Sequence, residues 1–574
     1  MSIYSGTKTI NQPALDFPVR RKMLLGAILI AMLTLASRAV FLQVLDKDFL
    51  QDKGDLQHVG IVDVPAYRGQ IKDRNGEPLA ISTPVQSIWM NLRQLKDSEQ
   101  DKVKQMASIL GMTDKDMQAF IKKEAGKRFA YLKRQINPDL AEKVKALEIT
   151  GVYFERAFKR YYPAGATAGH LLGFTNIDDT GQEGMEHGYD HILRGKPGKK
   201  RVIKDGKGHI IKDVENIQEA IPGQDLVLTI DERIQYLAYR ELQTAMLKNK
   251  AHSASLVVLD AKNGDVLASV SQPAFNPNNR KELRSDRYRN RAMVDSFEPG
   301  STVKPFVVAA ALDGGYVDPN ALIETHGVYH LGRNVVKDIH NYGTMDLTLV
   351  LQKSSNIAVT KLAMSMPPEY FWGVYSNLGF GTSAGVGFPG EASGSLLDYQ
   401  GWHEFDQAIL SFGYGVSTSI LQLARAYTAL ADDGVVHSVS LLKRDEDPDA
   451  KRIFKPTTTR RVRDMLEHVI SKEGTAYQAR VEGYRVAGKT GTVKKAAASG
   501  GYTSDKYLSV FVGMAPASNP RFVIAVVVDE PTTGQYYGGL VAAPAFSRVM
   551  AGILRIYGVE PDGMDTMPLL LTRQ

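Results

Sequence analysis

The sequence predicts an α+β protein whose larger folded unit carries a mainly antiparallel sheet flanked by helices. Two alternating apolar runs about Asn263-Gly264, "SASLVVLDAKNGDVLASVS", form the first strand signal of the C-terminal half. Three further strand-like runs, "RVAGKTGTV", "LSVFVGMAP" and "RFVIAVVVDEP", close that half. The stretch between, about residues 301 to 480, reads as helices joined by Gly-rich loops. Strands at both ends of a helical middle pair most simply as an antiparallel sheet with helices packed on it.

At 574 residues the chain exceeds one ordinary core, so at least two folded domains are expected. A composition of 43% hydrophobic and 23% charged residues excludes a mostly disordered chain. The net charge of +7 is mild for this length and comes with no long basic run, which argues against a nucleic-acid partner. An anionic membrane surface or an acidic substrate stays open. The absence of cysteine removes thiolate metal sites, thiol catalysis and disulfides together.

Taken in order, the first element is an apolar stretch from Met23 to about Val44, preceded by Arg20, Arg21 and Lys22. It is long enough to cross a hydrocarbon layer of about 30 Å. The basic cluster places its N-terminal side in the cytoplasm. Arg38 lies close enough to the far end to snorkel to that interface. The segment lacks the short apolar core and convincing small-residue site of a cleaved signal peptide, so it reads as an uncleaved anchor.

Beyond it, "VDVPAYRGQIKDRNGEPLAIS" carries a hairpin signal at Asn75-Gly76. Three short amphipathic helices are expected between residues 95 and 150. The second begins at a Thr113-to-Asp116 box and the third at Asn137-Pro138. The following "FERAFKRYYPAGATAGHLLGF" region reads as a shaped, turn-rich connection. A boundary is expected near Pro222-Gly223, and the residues after Val559 read as a loose tail.

The chemistry centres on "FEPGSTVKPF", in which Pro299-Gly300 forces a turn and "STVKPFVVAAALDGG" follows as a buried helix ending at Gly314-Gly315. Ser301 and Lys304 are three residues apart and therefore share a helix face. A serine hydroxyl becomes a good nucleophile only when a base takes its proton, and a lysine is a base only when its pKa is pushed down. Burial and a second cation both push it down. Alone, Ser-x-x-Lys is a common pattern whose plain reading is a helix cap beside a solvated lysine. Two later elements change that reading: Ser354-Ser355-Asn356 in "KSSNIA", and Lys489-Thr490-Gly491-Thr492 in "AGKTGTV".

The ordered set Ser-x-x-Lys, Ser-x-Asn, Lys-Thr-Gly resembles that of the active-serine penicillin-binding proteins and serine β-lactamases. The runs "RGQIKDRNGEPLA", "RYYPAGATAGHLLGF", "GQEGMEHGYD", "RNRAMVDSFEPGSTVKPF" and "SFGYGVSTSILQLARAY" extend the likeness to class B penicillin-binding proteins, most of all those of cell division. The resemblance spans about residues 20 to 550. It implies a penicillin-binding-protein/serine β-lactamase-like transpeptidase domain, an elongated N-terminal pedestal of the dimerisation type, and one transmembrane helix. The corresponding divisions are a cytoplasmic tail 1–22, an anchor 23–44, a pedestal 45–222, a transpeptidase domain 223–558 and a tail 559–574.

The family pattern implies that Ser301 attacks the penultimate D-Ala carbonyl of a peptidoglycan stem peptide, with Lys304 as base and Ser354 as proton relay. It implies that Asn356 bonds Lys304 and the substrate amide, and that Lys489 keeps Lys304 neutral. Thr490 and Thr492, flanking Gly491, would bind the terminal carboxylate, while the backbone N–H groups of Ser301 and Thr492 would form the oxyanion hole. No cofactor or metal is called for. The implied partners are nascent glycan strands with their stem peptides, β-lactams as covalent inhibitors, a septal glycosyltransferase of the SEDS family and other division proteins. The implied location is the inner membrane, single-pass, with a cytoplasmic N-terminus and a periplasmic catalytic domain.

Competing readings are an elongation-type transpeptidase, a carboxypeptidase, a membrane-anchored β-lactamase or sensor, and an inactive division scaffold. The long region before Ser301 speaks against a β-lactamase, and the intact motifs speak against a scaffold. His326, His330 and His340 lack the spacing of a zinc site. Trp402-His403 reads as packing or a loop contact rather than catalysis. The arginines 280, 284, 287, 289 and 291 read as a solvated face, with contact to anionic cell-wall material as the alternative.

Overall fold

The computed structural model describes residues 18–45, 47, 59–204, 210–444, 450–496 and 501–563. Its N-terminal helix, Pro18–Val40, continues through a wider turn, Phe41–Leu45. The apolar span Pro18–Val44 is 27 residues long, about 40 Å at helical rise, and its large apolar side chains are exposed. That length covers a bilayer core.

The expected antiparallel sheet is present. Its five strands run in the order Val266–Gln272, Ser253–Asp260, Phe522–Asp529, Tyr502–Ala515 and Ala487–Ala496. All four pairings are antiparallel. The helices Glu232–Lys248 and Ala543–Ile556 pack on each other and on the sheet, and Ile420–Ala431 packs on Ser253–Asp260 and Phe522–Asp529. Because helices cover both faces, Ser253–Asp260 is buried at every position instead of alternating. The strand that carries Lys489-Thr490-Gly491-Thr492 pairs on one side only, so it lies at the sheet edge. An edge strand keeps backbone groups available to a ligand.

The pedestal is built on the long strand Pro78–Met90, which pairs with Ala130–Ile136, Ile71–Lys72 and, from Ile81↔Tyr161 to Met90↔Val152, with Val152–Tyr161. This last strand corrects the reading of Phe154 onward as turn-rich connection; its cross-strand partner lies far away in sequence and supplies the hydrogen bonds that its own pattern did not advertise. The three helices form as Gln100–Ile109, Asp114–Lys123 and Pro138–Lys145, and they close a separate core on Ile88 and Met90. Thr113 caps the second by accepting from the Asp116 N–H. Asn137 stands at the cap of the third without a side-chain bond.

A three-stranded sheet, Val59–Val64, Gly198–Lys204 and Ile210–Gln218, forms the other part of the pedestal. Leu226–Val227 pairs in parallel with Ile71–Lys72, so sheet pairing crosses the boundary expected at residue 222. The tail is likewise not loose from its start. The Asp562 carboxylate accepts from the N–H groups of Arg485 (2.7 Å) and Ser518 (3.1 Å). Residues 564–574 lie outside the described residues.

Candidate active site

The turn before Ser301 is tied to "SFGYGVSTS". Phe297 and Thr418 exchange N–H···O bonds at 2.9 Å in both directions, and the Gly300 N–H donates to the Gly413 carbonyl at 3.0 Å. The Tyr427 hydroxyl donates to the Thr302 carbonyl at 2.6 Å. Ser301 itself sits in a tight turn, Gly300–Val303, that passes directly into the helix Lys304–Asp313. That helix is buried from Lys304 through Ala311. A buried Phe such as Phe306 contributes about 2 kcal/mol, so the helix start is held by its own core. Ser301 is half-buried and Lys304 is fully buried.

The expected Ser301–Lys304 hydrogen bond is not made, because Lys304 is held by other acceptors. Lys304 Nζ donates to the Ser354 carbonyl at 2.6 Å and to Asn356 Oδ1 at 2.6 Å, and it lies 3.2 Å from Ser354 Oγ. No hydrogen bond to Ser301 Oγ occurs among the described residues. The two shortest bonds go to oxygens that only accept. A neutral amine satisfies both with its two protons and keeps a lone pair for a hydroxyl.

Ser354 is placed by strain. It ends the helix Leu347–Lys353 in the left-handed region, φ 61° and ψ 45°, which costs a non-glycine residue of order 1 kcal/mol. There its hydroxyl stands between two amines, 3.2 Å from Lys304 Nζ and 3.0 Å from Lys489 Nζ. Lys489 is also fully buried. Burial first, and Lys489 second, hold the Lys304 amine well below the usual lysine pKa, with Asp338 opposing. Burial alone brings Lys489 down to about 7. Only Lys304 is lowered by both causes, so it gives up its proton more readily.

Two residues that the sequence reading missed support this arrangement. Asp338 accepts the Ser355 hydroxyl at 2.5 Å and the N–H groups of Asn356 (2.6 Å) and Ile357 (3.1 Å), which caps the helix Asn356–Met364 from outside. It arrives on a small hairpin, Val328–Leu331 with Asn334–Lys337, inside a region that reads as helix and loop. Thr475 is the second: its hydroxyl lies 3.0 Å from that of Thr490. Nothing in "KEGTAYQA" marks it.

The edge strand meets the serine turn closely. A Cβ on Gly491 would come within 3.1 Å of the Pro299 carbonyl and 3.0 Å of Thr302 Cγ2, so a larger residue would have to push the serine turn back by a few tenths of an ångström. Thr490 is buried at 8% exposure, and Thr492 is half-buried with its hydroxyl accepting from the Gly538 N–H at 3.2 Å. At the rim, Glu298 accepts from the Tyr502 hydroxyl and the Gly415 N–H, both at 3.1 Å, and joins strand, turn and loop.

The other singled-out residues lie in different settings. Trp402 packs edge-on against Phe371, and the His403 N–H donates to Asp406 at 2.8 Å. Arg289 and Arg291 both meet Asp295, at 2.5 and 3.6 Å, and Arg280 donates to the Asn176 carbonyl. His326 meets Glu324 at the surface.

Two buried amines that share the Ser354 hydroxyl, with Ser301 in the turn that leads into the Lys304 helix and an edge strand packed close to that turn, define the active-serine penicillin-recognising class. Comparison with known proteins goes further. Residues 254–551 match the penicillin-binding protein transpeptidase domain, and residues 63–228 match the penicillin-binding protein dimerisation domain. The chain is 41% identical over 551 residues to peptidoglycan D,D-transpeptidase FtsI of Escherichia coli K12, covering 95% of this chain and 93% of that protein. It is 40% identical to the probable peptidoglycan D,D-transpeptidase PenA of Neisseria meningitidis, covering 94% and 93%.

Among solved structures, the apo transpeptidase domain of Burkholderia pseudomallei penicillin-binding protein 3 is 45% identical with a TM-score of 0.54, covering 58% of this chain and 97% of that one. Mycobacterium tuberculosis penicillin-binding protein 3 complexed with aztreonam is 27% identical with a TM-score of 0.69, covering 87% and 98%. The chain belongs to the class B penicillin-binding proteins, and within them to the FtsI type.

Proposed function

We propose that this protein is a membrane-anchored peptidoglycan D,D-transpeptidase that cross-links stem peptides at the division septum and is acylated by β-lactams. The observation that carries the reading is the pair of buried amines around Ser354, since it supplies a base beside a serine that, among the described residues, bonds no histidine or carboxylate. Lys304 takes the Ser301 proton as Oγ attacks the penultimate D-Ala carbonyl carbon. The carbonyl electrons move onto oxygen, where the N–H groups of Ser301 and Thr492 would stabilise the charge. Ser354 passes a proton to the departing D-Ala nitrogen as the C–N bond breaks, and an acyl-serine remains. A second stem peptide's amine then attacks the acyl carbon, the bond from that carbon to Ser301 Oγ breaks as the amide cross-link forms, and the amine's proton passes through Lys304 to Ser301 Oγ.

Asn356 fixes Lys304 and bonds the substrate amide, and Thr490 and Thr492 meet the terminal carboxylate. The anchor and sequence kinship support a single-pass inner-membrane location with a periplasmic catalytic domain, and a septal SEDS-family glycosyltransferase and other division proteins as partners. The test is covalent labelling of the full-length protein by a fluorescent penicillin. Wild type should take up one slowly released label and Ser301→Ala none. Rapid release would mark a β-lactamase, and persistent labelling of Ser301→Ala would overturn the assignment. Depletion should give filamentous cells; rounded cells would point to elongation.

A further inference from the structure

Two runs that the transpeptidase mechanism leaves unused, "GQEGMEHGYD" of the pedestal and the arginine cluster before Ser301, meet at a cavity of about 220 Å³ on the seam between the two domains. Glu183 stands on the pedestal wall, and Arg289, Val294 and Phe388 stand on the transpeptidase wall. The seam is fixed here from both sides. The buried Asn290 side chain donates to the His170 carbonyl at 3.0 Å, and His170 Nε2 lies 2.8 Å from the Arg287 carbonyl. A Cβ on Gly188 would come within 3.1 Å of Pro389, so pedestal and loop are in close contact. These contacts set the spacing of the walls before any ligand arrives.

Each wall carries a charged group with unspent hydrogen-bonding capacity. Among the described residues the Glu183 carboxylate makes no hydrogen bond and no ion pair, and burial holds its pKa above the usual carboxylate value, with His187 opposing. Arg289 donates through Nε to Asp295 at 2.5 Å and makes no other bond among those residues, so of the five donors of a guanidinium only one is spent. Asp295 is shared with Arg291, at 3.6 Å, which leaves the two arginines one net positive charge. A smaller cavity of about 140 Å³ beside Phe297 differs: its Lys495 is answered by Asp529 at 2.8 Å and its Arg291 by Asp295.

We propose that the seam cavity binds a free amino acid, its ammonium against Glu183 and its carboxylate against the Arg289 fork. A planar fork with open N–H groups matches a carboxylate, and an unpaired carboxylate matches an ammonium. Val294 and the nearly covered Phe388 leave an apolar surface for a short side chain. The volume suits a molecule of amino-acid size, since pockets for drug-sized ligands start at about 300 Å³. D-Alanine, the amino acid that acylation of Ser301 by a stem peptide would release, is the first probe. The site itself goes beyond the transpeptidase reading and does not depend on it.

The test is saturation-transfer NMR on the full-length protein in detergent, titrated with D-alanine and with L-alanine. At least one enantiomer should bind saturably with a Kd of about 1 mM, a scale open to a ligand of about six heavy atoms. Acylating the protein with a penicillin beforehand should leave that binding unchanged, because the cavity is lined by none of the cleft residues. Glu183→Gln and Arg289→Gln should each weaken it about tenfold, the scale of one charge-assisted hydrogen bond. The amide of the bound enantiomer lacks the carboxylate, so Glu183→Gln should weaken its binding and Arg289→Gln should not; the N-acetyl form should show the reverse. No saturable binding of either alanine, loss of binding on acylation, or the same response of both analogues to both variants would overturn the site and leave the transpeptidase reading standing. Preference for D-alanine would support the site and tie it to the product released at Ser301; preference for L-alanine would support it with another source of ligand. Melting curves of the two variants, expected to match wild type, exclude misfolding as the cause.

Discussion

The pedestal and the catalytic cleft each bury two cations, and they treat them in opposite ways. In the pedestal, Arg68 donates to Glu186 at 2.7 Å, to Asp190 at 2.7 Å and to two backbone carbonyls. Arg160 donates to the other oxygen of Glu186 at 2.6 Å and to the Ser82 hydroxyl at 3.2 Å. Burial works against the Arg68 charge, but Glu186 and Asp190 outweigh it and raise its pKa above the ordinary arginine value. In the cleft, Lys304 and Lys489 are as buried, yet their hydrogen bonds go to a carbonyl, an amide oxygen and hydroxyls. Both amines are pushed down. A paired buried charge is structural; an unpaired one is ready to lose its proton.

The sharpest way to break this contrast is Lys304→Met. Loss of the general base should slow penicillin acylation by about 10³-fold or more. Melting temperature should hold or rise, since a methionine of similar length replaces an amine that burial disfavours. A large drop in melting temperature would mean that the Lys304 amine holds the fold.

Glu186→Ala should do the reverse. It leaves two buried guanidinium groups without their shared carboxylate and should cost about 3–5 kcal/mol of stability, read by denaturant unfolding of the full-length protein in detergent. Stability within about 1 kcal/mol of wild type would contradict the pedestal account.

The smallest effect sharpens the cleft side. Lys489 lowers the Lys304 pKa by repulsion, so Lys489→Met should raise it and move the acid limb of the acylation–pH profile to higher pH. An unmoved or lowered limb would refute the coupling. A second readout follows from Lys489 titrating at about 7 when folded. An unfolded lysine titrates near 10.4. Between those values the unfolded chain binds more protons, so this group makes stability rise with pH over that window. Lys489→Met should flatten the rise.

Much of the fold was legible because its signals are short-range. Asn75-Gly76 and Asn263-Gly264 sit in hairpins as their turn chemistry requires, and Thr113 caps its helix three residues on. The Val152–Tyr161 strand was not legible, since "VYFERAFKRY" alternates poorly and is stabilised by Pro78–Met90. At the site, Ser301, Lys304, Ser354, Asn356 and Lys489 could be named from motifs, and the structure brings Lys304, Ser354, Asn356 and Lys489 into direct contact. Asp338 and Thr475 could not be named. An aspartate after a short strand and a threonine before an alanine are ordinary until the chain folds them against Asn356 and Thr490.

The sequence by itself determined the apolar anchor, the two marked hairpins, the helix that follows Ser301 and the residue types of the three motifs, because each is decided by neighbours within about one or two turns of chain. The tertiary structure alone decided which buried cations would be paired. Arg68, Arg160 and Glu186 come from three separate stretches and neutralise one another only when folded. Lys304 and Lys489 lie even farther apart in sequence and meet across Ser354, with no carboxylate bonded to either amine among the described residues. The proton affinity of a side chain depends on the dielectric and the charges around it, and in this cleft both are supplied by residues remote in sequence.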